Sequence, residues 1–570
     1  MGSRDAEHSL EDLARTGISR RAFMKRAALL GVGAVTAGQI LAACGDDDDA
    51  AEAPATTAAP DTATTEAPAT TAAPEPTGPK VGGTFREGYD RDLTGPDTVS
   101  SAWADPTFNA FHEAVAIRDP EGVLVPMMCS EFVSSDTGWE FTLREGLKFH
   151  HGDDVTPEMI VENFNLFRDP ATGVNAVFWA PITDVTSEGN IIRCHTDGPF
   201  AAFQETVSTE YSYILNTATR DEHGDEYGAA IVDGTGPFRM TAFDTRQGAV
   251  GTRWDDYPGS VVPFFANKGT AYLDTVELIP IPESAQRRNE IETGNVDAIK
   301  NPPPQDVEAL SNNEDLVVQE FQELSNFFLS LNIGATQHGF DDLRVRQAIS
   351  HAIDREGIVA AVLRGRAVAT YGPFWPAYKW YNPEVENFNQ YDVDRARSLL
   401  DDAGWVSSGG DIREKDGVPL SFPMLHLSET TENAVMEAIV EMLKEVGVDM
   451  QNTDEEASAY WPQINLELAS FSLKGLWSSA PDLSAYFFNN LQPAGAAAGA
   501  SASYVQWQVA GDEESLRAAA QHMQAVVAEE LPFIPIYTPN TVWVNHKDVV
   551  GWQPNQVNLY PFYNDVWMDR

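Results

Sequence analysis

Apolar and polar positions change rhythm repeatedly along this chain, and each change predicts an element. Val81-Gly82-Gly83-Thr84-Phe85-Arg86-Glu87-Gly88-Tyr89 reads as a short strand that enters a turn-rich loop lasting to about Thr107, and helical spacing follows near Phe108 to Ile117. Alternation from Trp139 to Phe149 suggests a hairpin. The turn His150 to Asp154 then leads to Thr156-Pro157-Glu158, an N-cap, a proline in the first turn and an acid beside it, so a helix is predicted to about Phe167. Gly234-Thr235-Gly236-Pro237-Phe238 predicts a turn feeding a strand, and Ser284 to Thr293 a helix closed by Gly294. Phe327 to Asn332 is a buried-strand pattern. Helical spacing returns over Asp342 to Leu363, interrupted at Gly357, and over Asp392 to Ala403, stopped by Gly404. Ala434 to Val446 sets Val435, Ile439, Met442 and Leu443 on one face before Gly447. Leu516 to Glu530 reads as a helix and Pro532 to Tyr537 as extended. Helices and strands interleave without internal repeat, which predicts an α/β fold.

The first residues follow another logic. Ser19-Arg20-Arg21-Ala22-Phe23-Met24-Lys25 precedes an apolar run, Ala27 to Ile40, which Gly31, Gly33, Thr36, Gly38 and Gln39 interrupt. It falls short of the roughly 20 apolar residues that cross a bilayer. Leu41-Ala42-Ala43-Cys44-Gly45 closes it. The pair Arg20-Arg21 resembles a twin-arginine export signal, and the small residues before Cys44 resemble a lipoprotein processing box, so residues 1–44 are expected to direct export and lipidation at Cys44. Residues 45–79, rich in Asp, Ala, Thr, Pro and Glu, contain no bulky apolar side chain and are expected to form a disordered acidic tether. Fully stretched, such a tether reaches on the order of 100 Å.

About 490 residues remain, more than one small core holds, so two or more lobes are expected. The 570-residue chain carries 13 Trp, 16 Tyr and 28 Phe, enough to fill cores and also line a cleft. Its 86 acidic against 37 basic residues, a formal charge of −49, exclude nucleic acid as a partner, because phosphate binding needs clustered Lys and Arg. The same charge says little about a ligand, since screening over about 8 Å leaves that choice to local charge. With Cys44 assigned to lipid, Cys129 and Cys194 are expected as buried thiols, one disulfide being the alternative. Gly-x-Ser-x-Gly, His-Glu-x-x-His and Lys-containing phosphate loops do not occur, and no enzyme activity or cofactor is expected. His150, His151, Asp153 and Asp154 are dense but lie on one turn, so no metal site is expected there.

Seven blocks carry a family resemblance in order: Gly82-Gly83-Thr84, Phe141 to His150, Gly234 to Phe238, Glu292-Thr293-Gly294-Asn295-Val296-Asp297, Arg344 to Arg355, Tyr391 to Leu400, and Pro532 to Tyr537. The chain resembles the family 5 extracellular solute-binding proteins of ABC importers, which include dipeptide, oligopeptide and nickel binders. The resemblance implies a two-lobed periplasmic-binding-protein-like fold (class II type) with an extra subdomain in the first lobe. On that pattern residues 80–122, 233–329 and 533–570 build the first lobe, 123–232 its subdomain, and 330–532 the second lobe. Crossings are expected near Leu329 to Asn332 and Pro532 to Tyr537, with hinge closure around a ligand.

In peptide-binding relatives a Trp lines the pocket, an Asp three residues later pairs with the peptide amino group, and a basic residue three before meets its carboxylate. Trp477 and Lys474 match those positions in Lys474-Gly475-Leu476-Trp477-Ser478-Ser479-Ala480-Pro481-Asp482, while Ala480 stands where the Asp is expected. An unpaired buried ammonium is costly, so either Asp482 substitutes or the ligand is not a free-amino peptide, an oligosaccharide or metal chelate being the alternatives. Ser478, Ser479, Asp90, Trp375, Tyr378, Tyr486 and Thr235 complete the candidate ligand contacts. The implied role is a monomeric receptor that delivers a solute to a membrane permease. It would sit on the outer face of the cell membrane or in the periplasmic space; an extracellular hydrolase or a non-transporting sensor or adhesin is the rival class. Cys44→Ser is expected to shift the protein from the membrane to the soluble fraction with ligand binding intact, which cell fractionation followed by a binding assay checks.

Overall fold

The computed structural model describes residues 78–455, 472–477 (backbone only) and 498–570, apart from 102–103, 174–175, 324, 408, 429, 556 and 559. The export signal, Cys44 and the tether lie outside the described residues. Among those described, no helix is long and apolar enough to cross a membrane.

Capping fixes several helices where the sequence places them. Thr156 caps Pro157–Arg168 by accepting from the Met159 amide, Asp392 caps Val393–Asp402, and left-handed Gly294 closes Ser284–Thr293. Three expectations need correction. The helix at Phe108 to Ile117 is only Pro106–Phe111; His112 is extended and Ala116–Arg118 is a strand paired with Leu124–Pro126. All of 104–118 is buried, polar Asn109, His112 and Glu113 included, so the apolar spacing does not mark one face against solvent there. The hairpin lies upstream of its expected place: Gly138–Leu143 pairs with Cys129–Ser135 and with Ile191–Thr196, while Arg144 to Phe149 turns away. Finally, the long helix breaks at Ile353-Asp354 rather than Gly357, because the Asp354 carboxylate takes the Gly357 amide at 2.8 Å and starts a new turn.

Among the described residues twelve strands join in one network. Its path runs Asp449–Glu455, Ser421–Leu427, Ser472–Trp477, Ser325–Ser330, Phe533–His546, Ala298–Lys300, Thr84–Tyr89, Thr275–Pro280, Gly248–Arg253 and Phe238–Asp244. The fourteen-residue strand Phe533–His546 is common to both halves. Its first part pairs with Ser325–Ser330 and Ala367–Ala369, and its last part with Leu316–Gln322 and Ala298–Lys300. Partners therefore change between Gln322 and Ser325 on one chain segment and between Pro539 and Asn540 on the other. The first change lies upstream of the crossing expected at Leu329 to Asn332, because Phe327 and Leu329 already pack in the core of the second half with Ile534, Ile536 and Tyr537. The second lies downstream of Tyr537.

A four-stranded antiparallel sheet, with Cys129–Ser135 and Ile182–Glu188 at its edges, forms the subdomain. Cys129 pairs in register with Leu143 and Cys194 with Trp139, at opposite ends of the central strand. Four residues of strand separate them, too far for a disulfide. Both are buried free thiols.

Gly234 and Gly236 sit against the end of Pro106–Phe111. A Cβ on Gly234 would lie 2.0 Å from the Phe111 carbonyl oxygen and 2.6 Å from His112 Nδ1. Two acids, Glu87 and Glu113, are fully buried. Burial pushes the Glu87 carboxyl up to about 7, against the opposing pull of the Tyr563 hydroxyl at 2.8 Å and of Lys300. Glu113, held by the Tyr257 hydroxyl at 2.6 Å, is likewise pushed up to about 7.

Gly234→Ala is expected to cost about 2–3 kcal/mol of stability in urea unfolding, because backbone rather than a flexible side chain must move. The raised acids give a pH signature. Between the ordinary value of 4.5 and about 7 the folded state holds protons that the unfolded chain has released, so stability falls as pH rises through that window. Each group contributes a slope of up to about 1.4 kcal/mol per pH unit. Glu87→Gln is expected to flatten this dependence, as read from urea midpoints between pH 4.5 and 8.

Candidate ligand cleft

Strand Thr84–Tyr89 lies between Thr275–Pro280 and Ala298–Lys300, parallel to both. Loops at the carboxyl ends of parallel strands are where such sheets gather ligand contacts. Asp90 and Arg91 leave one strand there, and Lys300 and Asn301 end its neighbour. Asp90 accepts from Arg91 Nε at 3.1 Å through Oδ1 and from Asn301 Nδ2 at 3.2 Å through Oδ2. Burial alone would raise its carboxyl, but the charges of Arg91, Lys300 and Arg287 hold it well below the usual carboxylate range. Asp90 is 8 % exposed through its side chain and Arg91 34 %, the Arg91 guanidinium carbon lying 5.8 Å from the Tyr89 ring centre.

Lys300 is buried. Its Nζ stands 5.4 Å from the ring centre of Trp543, 5.6 Å from that of Tyr560, and 3.8 Å from a Glu323 oxygen. Glu323 accepts from Ser325 Oγ at 3.0 Å, and its amide donates to the Pro539 carbonyl at 2.9 Å. The charge cluster thus sits at the level where both strands change partners. Asn301 adopts φ 51°, donates its amide to the Val542 carbonyl at 2.7 Å and accepts the Val542 amide at 3.1 Å. The sequence reading missed Lys300, Asn301 and Glu323. Asn followed by three prolines at the end of a strand was the available signal for Asn301, since Asn tolerates the left-handed region. Asp90 faces Arg91 and Glu323 faces Lys300, with the charge of Arg287 also acting on Asp90, so groups of both signs meet at these strand ends.

The other candidates are distributed as follows. Strand Ser472–Trp477 pairs antiparallel with Ser325–Ser330, which sets the Trp477 backbone opposite Ser325 and the Lys474 backbone opposite Phe328. Trp477 therefore ends its strand beside the residue that hydrogen-bonds Glu323. Ser478, Ser479, Ala480, Asp482 and Tyr486 lie outside the described residues. Trp375 and Tyr378 belong to a buried aromatic group with Phe374 and Trp380, ring centres 5.0–6.2 Å apart. Both lie in the apolar cluster that also holds the subdomain core. Thr235 is buried between its two glycines, its hydroxyl 4.0 Å from Met128 Sδ.

The His150 turn is fully used by hydrogen bonds. His150 donates through Nε2 to the Gly236 carbonyl at 3.0 Å and accepts the Gly234 amide at Nδ1, so the neutral ring is satisfied, and burial pushes its imidazole down to about 3. His151 stands 3.2 Å from Asp233, and Asp154 pairs with Lys148 at 2.7 Å. Among the described residues no three His, Cys, Asp or Glu side chains converge to hold a metal ion.

The profile of the bacterial extracellular solute-binding proteins, family 5 (middle part), matches residues 123–498. The oligopeptide-binding protein AppA of Bacillus subtilis is 25% identical over 445 residues, covering 73% of this chain and 78% of that protein. The glutathione-binding protein GsiB of Escherichia coli K12 is 25% identical over 371 residues, covering 63% and 66%. The solved structure of AppA with a nonapeptide superposes with a TM-score of 0.74 at 20% identity, covering 86% of this chain and 100% of that one. NikA from Brucella suis with Fe(III)-EDTA gives 0.71 at 20%, covering 85% and 100%. Both have the same two-lobed fold, and the family is one of solute-binding proteins rather than enzymes. Matched over well more than half of its length, the chain belongs to the family 5 bacterial extracellular solute-binding proteins.

Proposed function

We propose that the protein captures a short peptide between its two lobes and delivers it to an ABC permease, held at the outer face of the membrane by a lipid on Cys44. The observation that carries this reading is the register that brings the Trp477 backbone to Ser325, next to the cluster of both signs formed by Asp90, Arg91, Lys300 and Glu323. A zwitterionic backbone with an aromatic wall beside it matches such a surface. The relatives named for oligopeptide and glutathione binding agree in ligand class. Residues 80–122, 233–329 and 533–570 would form the first lobe with 123–232 as its subdomain, and 330–532 the second, acting as a monomer whose closed form the permease recognises.

One observation favours a second reading. Ala480 removes the carboxylate expected to meet a peptide amino group, and a relative of the same fold holds Fe(III)-EDTA, so a metal chelate is the next ligand class in line.

Native mass spectrometry of purified residues 80–570 is expected to show co-purified short peptides. Saccharides or a chelate in their place would overturn the peptide assignment while leaving the receptor role. Trp477→Ala is expected to weaken capture of the identified ligand about tenfold or more, since a buried aromatic contact is worth about 1.5–3 kcal/mol, and titration calorimetry would read it.

A further inference from the structure

The seam between the subdomain and the second lobe contains one buried carboxylate with cations on both sides. Glu205 lies on the short helix Phe203–Val207, which is tied to the subdomain sheet through Phe203 against Trp139, ring centres 6.1 Å apart. Its side chain is fully buried. One oxygen pairs with the guanidinium of Arg118 from the strand Ala116–Arg118 of the first lobe. The other oxygen faces Lys379 Nζ at 3.6 Å.

Lys379 comes from the opposite lobe. It follows strand Ala367–Ala369, which pairs with the first part of Phe533–His546, and its neighbours are bound to helix Glu513–Glu530. Gln524 Nε2 donates to the Trp380 carbonyl at 3.0 Å, and the Asn382 amide donates to Gln524 Oε1 at 2.8 Å. The ammonium lies 4.2 Å from the Trp380 ring centre, and it donates to the Gly122 carbonyl at 3.5 Å. Its side chain keeps 28 % exposure, so it can leave for water without leaving the fold.

Beside this contact the Ala201 amide donates to the Ala510 carbonyl at 3.0 Å, and a Cβ on Gly511 would lie 3.3 Å from Pro199 Cβ. Phe200, Phe203, Tyr504, Trp507 and Ala510 share one apolar cluster across the same seam. An apolar seam closes non-directionally and tolerates sliding. A buried carboxylate has one favourable placement of its second partner. When the lobes part, Glu205 keeps Arg118 while Lys379 is hydrated; when they meet, the second oxygen is buried and needs the ammonium.

We infer that Lys379 and Glu205 form an ionic latch between the second lobe and the subdomain, with Arg118 holding the Glu205 carboxylate in place, and that this latch sets how readily the two lobes close. The latch shares no residue with the cluster of Asp90, Arg91, Lys300 and Glu323. It therefore tunes the closed population whatever solute is captured, and it does not rest on the peptide reading.

Full-length protein carrying Pro199→Cys and Gly511→Cys reports the seam, because the two Cβ positions fall close to disulfide reach. Without added ligand, oxidised glutathione is the oxidant and mass spectrometry of the cross-linked peptide gives the rate. Lys379→Met in this background is expected to slow cross-linking about three- to tenfold. Lys379→Arg, which keeps the cation, is expected to retain most of the rate, and adding Glu205→Gln to Lys379→Met is expected to cause little further loss. The inference is overturned by a parent pair that does not cross-link, by equal rates for Lys379→Met and the parent, or by Lys379→Arg as slow as Lys379→Met. Multiplying effects of the Glu205 and Lys379 changes would overturn it too. Should Glu205→Gln fail to fold by circular dichroism, the Met and Arg variants of Lys379 still decide the question.

Discussion

Everything in this architecture hangs on one backbone, the fourteen-residue strand Phe533–His546, whose amides and carbonyls must be satisfied by two sets of neighbours in succession. A strand that passes between two halves cannot keep one partner throughout if the halves are to move. Prolines mark where it changes. Pro535 sits where the register against Phe327 and Phe328 shifts, and its carbonyl takes Arg355 Nε at 2.7 Å. Pro539 stands at the partner change, its carbonyl bound by the Glu323 amide. Missing proline donors thus fall at an irregularity and at a junction, where a regular ladder would lack a donor anyway.

That junction also explains where the charges gather. Lys300 ends the strand that pairs with Trp543, Glu323 lies on the crossing segment, and Asn301 clamps Val542 from both sides. An ion pair anchored on one side to a strand end and on the other to a crossing segment responds to any rotation between the halves. The buried cation between Trp543 and Tyr560 loses little by such a rotation, because ring faces are broad, whereas its 3.8 Å contact to Glu323 is distance-sensitive. The charges of Asp90, Arg91, Lys300 and Glu323 are therefore coupled to the crossing itself.

Much of this was legible in the sequence wherever a local rule had no competitor. Thr156-Pro157-Glu158, Asp392 and Gly294 bound their helices as their chemistry dictates, since capping depends on neighbours in the chain. Local rules lost where burial was complete: residues 104–118 present no solvent-exposed face, and His112 is drawn out of helix by distant partners, its ring nitrogens lying 3.0 and 2.9 Å from the carbonyls of Ile214 and Pro96. Gly357 is not the breaker, because the carboxylate of Asp354, earlier in the chain, takes its amide and starts a new turn. Of the charge cluster, the sequence offered Asp90 as a candidate and gave no sign of Lys300 or Glu323; a lysine in an Ala-Ile-Lys strand and a glutamate in a crossing segment acquire meaning only when residues 23 apart in sequence meet.

The blocks that make the family recognisable are, on inspection of their contacts, blocks that fix backbone. Gly82 and Gly83 have φ of 111° and 90°, and the Gly83 amide is bound by Asp274. Asp297 takes the Arg86 amide at 2.8 Å and the Arg570 guanidinium at 2.7 Å, tying the first strand to the chain's last residue. Arg346 spans to the carbonyls of Glu530 and Leu531, and Arg355 to that of Pro535, both from the Arg344 to Arg355 block into the segment that enters the shared strand. Gly234 and Gly236 let two backbones approach more closely than any side chain permits. Such residues serve the frame whatever the protein binds, so their pattern speaks to the fold and is blind to the ligand. Ligand choice therefore has to be read from the site and not from this frame.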